Sequence, residues 1–196
     1  MIDIETQLQW LDVDSATVTS GNVGQLFGRY IHRGMVQDNN MVINFDLNNG
    51  AVLIPDWKGW TRLIRLTRVP TSDKCDGGPK WIKLTTSLGK SIVGTEDTFV
   101  PLYNQTKVSS GFHGESKYFY ELLVLGDIAF DPGDIIGDRK CTVRVRRCID
   151  PVTDSSVDFD MVASAEYVNN KTSVGYDILT ASEFYNANDI YLWNNQ

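Results

Sequence analysis

Residues 80–103 read KWIKLTTSLGKSIVGTEDTFVPLY, and this stretch decides which fold the sequence predicts. It contains two short runs of β-branched, aromatic and aliphatic side chains, residues 81–85 and 91–95. Such runs are typical of β-strands, because branched and aromatic side chains pack well on a pleated surface. The stretch therefore predicts two strands, the second of which leads into the tetrapeptide Thr95-Glu96-Asp97-Thr98.

Strand character continues on both sides of this stretch, and turn residues interrupt it at short intervals. Residues 23–31 differ, because their apolar side chains repeat at three and four residues behind Ser20-Gly21-Asn22, which predicts a short helix after a turn or cap. No internal repeat or linker composition divides the chain. We therefore predict a single all-β domain over residues 1–196, with about ten short strands and one short helix near the N-terminus. The other predicted strands are residues 41–45, 51–54, 60–69, 118–125, 141–149, 159–168, 175–180 and 189–193.

The composition is that of a chain that folds around a core, since 42% of its residues are hydrophobic and 11% are aromatic. The formal net charge of −7 disfavours nucleic-acid binding, because such binding depends on basic side chains that neutralise phosphates. The sequence has no recognisable secretion signal and no apolar stretch of membrane-spanning length. We expect a cytoplasmic or virion protein that binds no membrane and no nucleic acid.

Few residues suggest cofactor or metal chemistry. The three cysteines, Cys75, Cys141 and Cys148, have no spacing typical of a zinc site or a disulfide framework, which favours a reducing compartment. His32 falls at the end of the predicted helix, where a stabilising contact with the helix dipole explains it, and His113 reads as a solvated loop residue. We therefore expect no cofactor and no metal ion.

Residues 80–103 resemble the intein hairpin that ends in a Thr-x-x-His motif followed by an apolar residue and proline. Residues 52–70 are similar to the intein strand pair that precedes this hairpin. Residues 122–138, LLVLGDIAFDPGDIIGD, resemble the segment where a strand runs into an acidic turn and a Gly-Asp pair. These pieces occur in the order found in the Hint fold of inteins and hedgehog autoprocessing domains.

The end of the chain carries the most specific part of this resemblance. Residues 176–195, YDILTASEFYNANDIYLWNN, are similar to the closing intein strands, with Phe184, Asn188 and Ile190 at matching spacing. A weaker resemblance near Asp14 extends the similarity to about residues 10–196. The resemblance implies a compact Hint-like domain.

Several positions depart from the residues that splicing requires in this family. The attacking Cys or Ser at the start of an intein would fall near Trp10, which has no nucleophile. Thr98 occupies the place of the histidine that protonates the leaving nitrogen, and a threonine cannot supply that proton at neutral pH. Asn195 matches the final asparagine that cyclises, but Asn194 replaces the helper histidine and Gln196 replaces the acceptor.

Two further positions match the family. Asp177 stands where some inteins have an aspartate that coordinates the two cleavage steps, and Thr95 stands where the hairpin motif has its threonine. Each also has a structural explanation, because a threonine can bond its own backbone and an aspartate can cap a turn.

The sequence supports three hypotheses. The first is a catalytically inactive Hint-like domain that serves as a structural or protein-interaction component. The sequence resembles inteins of phage genes, so we expect this component in a phage virion. Its candidate interface residues are Trp57, Trp60 and Tyr103. The second is an autoprocessing intein with divergent or mutated active-site residues. The third is a β-sandwich or barrel protein of virions, which strand topology would distinguish.

Overall fold

The computed structural model describes residues 1–56, 59–71, 78–110, 116–128, 141–146, 157–169 and 174–194. The described part of the chain contains fifteen strands, two α-helices and two short 3₁₀ helices, so the predicted all-β fold is confirmed. The helices are α1 (Val23–Tyr30), α2 (Leu125–Ile128) and the 3₁₀ helices Ile31–Arg33 and Leu47–Asn49. The strands are β1 (Gln7–Asp12), β2 (Thr17–Asn22), β3 (Gly34–Gln37), β4 (Asn40–Asn44), β5 (Val52–Asp56), β6 (Gly59–Pro70), β7 (Trp81–Thr86), β8 (Ser91–Thr95), β9 (Phe99–Ser110), β10 (Ser116–Val124), β11 (Cys141–Arg146), β12 (Val157–Val168), β13 (Val174–Thr180), β14 (Phe184–Ala187) and β15 (Ile190–Trp193).

The strands form two sheets. The first has seven strands in the order β2-β1-β5-β6-β4-β3, with β13 also paired to β6. The second has eight strands in the order β10-β9-β11-β12-β7-β8, with the β14–β15 hairpin attached to β11 through β15. All the pairings are antiparallel, and tight turns join neighbours such as β3 and β4.

The first residues of the chain connect the two sheets. Ile2 forms isolated β-bridges with Tyr176 in β13 and with Gly94 in β8, so it lies between the seven-stranded and the eight-stranded sheet. The backbone nitrogen of Ile2 donates to the Tyr176 oxygen at 2.8 Å, and the nitrogen of Asp3 donates to the Val93 oxygen at 3.1 Å. Residue 1 is therefore held at the junction of the two sheets.

The predicted helix is confirmed and corresponds to α1. Asn22 caps it, because the Asn22 side chain accepts from the Gln25 backbone while the Gln25 side chain accepts from the Asn22 backbone. The apolar face of α1 is buried in the core through Val23, Leu26, Phe27 and Tyr30. His32 lies beyond this helix, exposed in the 3₁₀ helix Ile31–Arg33.

Each predicted strand overlaps an observed one. The predicted strand 91–95 coincides with β8, and the others differ by one or two residues at their ends, apart from residues 147–149, which lie outside the described residues. The predicted strand 118–125 ends at Val124, and Leu125 begins α2 instead. The strands β1, β2, β3, β9 and β14 are additions that the sequence reading did not identify.

Some predictions fall outside the described residues or side chains. These are His113, Cys75, Cys148, Trp57 and Asn195, together with the side chains of Cys141 and Tyr103, whereas Trp60 is half-buried. Within the described ranges, no helix is long and apolar enough to cross a membrane. In the same ranges, no cluster of three His, Cys, Asp or Glu side chains could hold a metal ion.

Candidate functional site

The tetrapeptide that follows β8 forms a tight turn at the junction of the sheets. The nitrogen of Thr98 donates to the Thr95 oxygen at 2.9 Å, and the Thr98 oxygen accepts from the nitrogen of Leu125 at 2.9 Å. Both threonines are buried, with relative exposures of 1% for Thr95 and 6% for Thr98. This turn therefore presents two fixed hydroxyl groups toward the first residue of the chain.

Met1 makes its polar contacts with this turn. The nitrogen of Met1 donates to Thr95 Oγ1 at 2.9 Å and to Thr98 Oγ1 at 3.3 Å. The Met1 carbonyl oxygen accepts from the Thr95 backbone nitrogen at 2.9 Å and from Thr98 Oγ1 at 2.7 Å. Thr95 and Thr98 thus bind both polar ends of the residue 1 backbone.

Two carboxylates also lie close to the Met1 nitrogen. Asp177 Oδ1 in β13 is 3.3 Å from this nitrogen, and Asp97 Oδ1 in the turn is 3.8 Å from it. Thr95 Oγ1 also donates to Asp97 Oδ1. Burial raises the pKa of Asp97, but hydrogen bonding, chiefly from Thr95, outweighs it, so the pKa lies below its ordinary value. Asp97 is therefore ionised at neutral pH.

The side chain of Met1 packs into the fold. It is 14% exposed, and it lies against Gly175. A Cβ atom built on Gly175 would approach Met1 Sδ to 2.9 Å and Met1 Cβ to 3.1 Å, so glycine at this position makes room for the thioether. Residue 1 is thus fixed by its side chain as well as by its backbone.

Asn194, which follows β15, is fixed by hydrogen bonds from its side-chain nitrogen. Asn194 Nδ2 donates to the Thr180 oxygen at 3.1 Å, to Thr180 Oγ1 at 2.7 Å and to the Ser182 oxygen. The residue is 1% exposed, and its Oδ1 atom has no hydrogen-bond partner within the part of the chain that the structure describes. This amide holds the end of β15 against the end of β13.

A cavity of about 170 Å³ brings these groups together. Burial, with a smaller contribution from the Asp177 carboxylate, raises the pKa of Tyr185, which therefore stays neutral on the cavity wall. The lining residues are Met1, Arg65, Asp97, Thr98, Phe99, Asp177, Ile178, Leu179, Tyr185, Trp193 and Asn194.

The structure brings together four of the five positions predicted from the family resemblance. Thr95 and Thr98 contact Met1, Asp177 is next to its nitrogen, and Asn194 lies on the same cavity. The fifth, Asn195, lies outside the described residues.

The predicted position for the start of the site, near Trp10, is wrong. Trp10 lies in β1, pairs with Thr19 and is 2% exposed in the core, whereas Met1 meets the threonines. Sequence reasoning missed Met1 because it carries no nucleophile, and it missed Gly175 and Thr180 because their roles depend on tertiary contacts.

The fold is similar to those of solved inteins. The crystal structure of the PabCDC21-1 intein matches with a TM-score of 0.63 and 16% identity, over 99% of this chain and 98% of that chain. The solution structure of the Pab PolII intein matches with a TM-score of 0.63 and 11% identity, over 100% of both chains. The solution structure of a KlbA intein precursor from Methanococcus jannaschii matches with a TM-score of 0.60 and 16% identity, over 100% of this chain and 91% of that chain.

No protein-family model matches the chain, and no curated protein matches it in sequence. At identities this low, structural similarity defines the fold and not the activity. The chain has a Hint/intein-like fold, so the Hint resemblance seen in the sequence is confirmed at the level of the fold.

Proposed function

We propose that this chain is a non-splicing Hint-fold domain that serves as a structural or protein-binding component. The observation that carries the proposal is Met1, the residue whose backbone lies between the two threonines. The acyl shift that begins splicing needs a thiol or hydroxyl that can attack a carbonyl carbon, and a thioether has no proton to lose. Met1 instead packs its side chain against Gly175.

The chemistry of Thr98 supports the same proposal. A general acid for a departing amide nitrogen needs a pKa near the working pH, and a threonine hydroxyl is far from that range. The Thr98 hydroxyl donates a hydrogen bond to the Met1 oxygen at 2.7 Å, and this bond fixes the backbone of residue 1. The site therefore lacks a proton donor of suitable strength at this position.

The contacts of Asn194 also favour a structural role. Asn194 stands at the position of the histidine that assists cyclisation of the final asparagine, and an amide side chain cannot transfer a proton as an imidazole does. Asn194 Nδ2 instead donates to Thr180 Oγ1 and to the oxygens of Thr180 and Ser182. These contacts fix the Asn194 side chain against the end of β13. The phage-virion context rests on the sequence resemblance alone.

A second candidate function is autoprocessing with divergent residues. The observation that favours it is the position of Thr95 Oγ1, which lies 2.9 Å from the Met1 nitrogen, the atom that leaves when the peptide bond before residue 1 is broken. Asp177 also lies next to the residue 1 nitrogen.

The test is intact mass spectrometry of the full chain expressed between two short flanking peptides and incubated with a thiol. We expect a single species at the mass of the uncleaved fusion. Release of either flanking peptide from this protein would overturn the non-splicing proposal and favour the second candidate.

Two control variants place a cysteine at different methionines, one in the site and one away from it. A Met1→Cys, Thr98→His double variant restores a thiol and an imidazole at the site, and we expect it to cleave at the N-terminal junction. Met35→Cys places a thiol on β3, where Met35 is 56% exposed, and we expect no cleavage. This pair establishes that the assay detects cleavage in this fold and that a thiol elsewhere does not cause it.

A further inference from the structure

Strand β3 forms one edge of the seven-stranded sheet. It pairs with β4, and no other strand of the described ranges pairs with its outer side. Asp38 and Asn39 form the β3–β4 turn, and their φ values of 49° and 66° are those of a type I′ turn. Gln37 and Asn40 flank this turn as a hydrogen-bonded pair, so the alternation of the ladder directs the backbone N–H and C=O of Val36 outward. The edge therefore offers backbone groups to a further strand.

The same edge lacks the features that usually prevent strand pairing between molecules. Natural sheet edges are commonly protected by lysine, proline, a bulge or a covering segment. The four residues Gly34–Gln37 include no charged residue and no proline, and their pairing with β4 has no bulge. Met35 and Val36 are 56% and 72% exposed. These apolar side chains would gain from burial against another strand.

A cavity of about 330 Å³ lies beside this edge. Val36 and Met41 are directly opposite each other in the β3–β4 pair and both line the cavity, so it lies on the face of the sheet to which they point. A residue opposite Val36 on an added antiparallel strand would point to the same face. Its side chain would meet the apolar part of the lining, which also includes Pro70 and Val174. The polar part of the lining is Asn39, Asn40 and Arg68.

The two ends of β3 carry charges of opposite sign. Arg33 directly precedes the strand, and Asp38 directly follows it. An antiparallel pair of two β3 strands, with Met35 and Val36 matched to their counterparts, puts the Asp38 end of each copy beside the Arg33 end of the other. A guanidinium has several N–H donors, so the contact of Arg33 with the Gly50 oxygen at 3.4 Å does not exhaust it. The segment is therefore complementary to itself in both charge and apolar character.

We propose that β3 pairs antiparallel with β3 of a second copy of this chain, which joins two seven-stranded sheets across a twofold axis. A second copy is the partner that fits, because the opposite charges and the exposed apolar residues all lie within residues 33–38. The net charge of −7 opposes self-association, but salt at about 0.15 M limits this repulsion to about 8 Å. This inference rests on the proposed function, because it names the partner of a structural or protein-binding domain.

The test is sedimentation equilibrium of the full chain in about 0.15 M salt, from micromolar to millimolar protein. One chain has a mass of 22.0 kDa, and we expect the average mass to rise toward twice this value with concentration. Val36→Lys puts a charge at the centre of the edge, and we expect it to weaken dimerisation by about tenfold or more. Leu88→Lys is the matched control, because Leu88 is 74% exposed in the β7–β8 turn, and it should dimerise like the parent protein.

Two charge-reversed variants test the antiparallel arrangement. Arg33→Glu and Asp38→Lys each bring like charges together at both ends of the paired strands, so each alone should dimerise more weakly than the parent protein. In an equimolar mixture of the two variants, each end again pairs opposite charges. We expect the mixture to dimerise more strongly than either variant alone. Circular dichroism spectra like that of the parent protein establish that each variant is folded.

The inference is overturned if the parent protein stays at 22.0 kDa at every concentration. It is also overturned if Val36→Lys and Leu88→Lys dimerise equally, or if mixing the charge-reversed variants restores no dimer. The cleavage assay decides the non-splicing proposal separately, so a failure of dimerisation leaves that proposal standing.

Discussion

The hydroxyl group of Thr98 donates a hydrogen bond to the carbonyl oxygen of Met1 at 2.7 Å, across a separation of 97 residues. The backbone nitrogen of Thr95 donates to the same oxygen at 2.9 Å. The bond fixes the residue 1 backbone at the junction of the two sheets, because Ile2 bridges one strand of each. In this chain the turn after β8 therefore anchors the first residue.

The anchoring by Thr98 predicts a stability loss in Thr98→Val. Valine keeps the shape of threonine but leaves the Met1 oxygen with one donor fewer, and a net contribution of about 1 kcal/mol is typical of such a bond. We expect urea denaturation to give a free energy of unfolding lower by about 1–2 kcal/mol. Thr19→Val, at a half-buried position of β2, is the control and should change stability little. Equal losses in both variants would contradict the anchoring role.

The packing of Met1 against Gly175 predicts a larger effect from one added methyl group. In Gly175→Ala the new Cβ would lie 2.9 Å from Met1 Sδ, so the first residue must shift. We expect a loss of about 1–3 kcal/mol in thermal or urea unfolding, as for other overpacked sites.

The matched control is Gly28→Ala in α1. A Cβ at Gly28 meets nothing within 4 Å, and alanine is the better helix former. We expect this variant to be more stable by about 0.5–1 kcal/mol, since glycine in a helix costs that much relative to alanine. A Gly175→Ala protein as stable as the parent would show that the Met1 side chain does not depend on this space.

The sequence indicated the elements whose signals are local. The helix followed from the spacing of Val23, Leu26, Phe27 and Tyr30, and these side chains are buried in the core. The predicted strands carried branched and aromatic runs. The strand β14 has all four residues buried, so it shows no alternation of polar and apolar side chains that would identify it.

The site could be predicted only in part, for a physical reason. Thr95 and Thr98 lie in one short turn, and a motif comparison finds them together. Residue 1 reaches them through the bridges of Ile2 with Tyr176 and Gly94, which are contacts between distant parts of the chain. Without a nucleophile to mark the start, the sequence comparison placed that position near Trp10, which is a core residue of β1.

The hydrogen bond between Tyr30 and Asp12 predicts how stability depends on pH. Tyr30 Oη donates to Asp12 Oδ2 at 2.7 Å. This bond, together with the backbone of Ser15, lowers the pKa of Asp12. Because the pKa of Asp12 is lowered on folding, this contact stabilises the protein fully above the unfolded-state aspartate pKa of about 3.9. The stabilisation is lost as the pH falls through the pKa of Asp12 in the folded protein.

The same contact acts at high pH with the opposite sign. Burial and the Asp12 carboxylate raise the pKa of Tyr30 to about 12. The stability that the protein gains from the Tyr30 hydroxyl is therefore fully present below the unfolded-state tyrosine pKa of about 10. It is lost as the pH rises through the pKa of Tyr30 in the folded protein. We expect Tyr30→Phe to lower the free energy of unfolding near pH 7 by about 1–2 kcal/mol. The loss of stability at low pH and the loss at high pH should both become smaller in this variant.

The control for this prediction is Tyr167→Phe. Tyr167 is 54% exposed and bonds Glu96 on the surface, so its removal should leave the urea-unfolding profile between pH 2.5 and pH 11 nearly unchanged. Identical profiles for Tyr30→Phe and the parent protein would show that the Asp12 contact contributes nothing to the pH dependence.

The contacts of Asn194 Nδ2 with Thr180 and Ser182 predict that Asn194→Asp is strongly destabilising at neutral pH. The change puts a carboxylate oxygen against the carbonyl oxygens of Thr180 and Ser182 at a position that is 1% exposed. A buried charge without a partner costs about 3–5 kcal/mol, so we expect a loss of that order in urea unfolding at pH 7. Burial and repulsion raise the folded-state pKa of the new carboxyl, and a raised value stabilises only at low pH. The deficit relative to the parent protein should therefore be smaller at pH 4 than at pH 7.

Asn39→Asp is the control, because Asn39 is exposed and its φ of 66° suits aspartate, and this variant should lose little at either pH. A deficit in Asn194→Asp that is small or independent of pH would mean that Asn194 does not hold the end of β15 through these bonds.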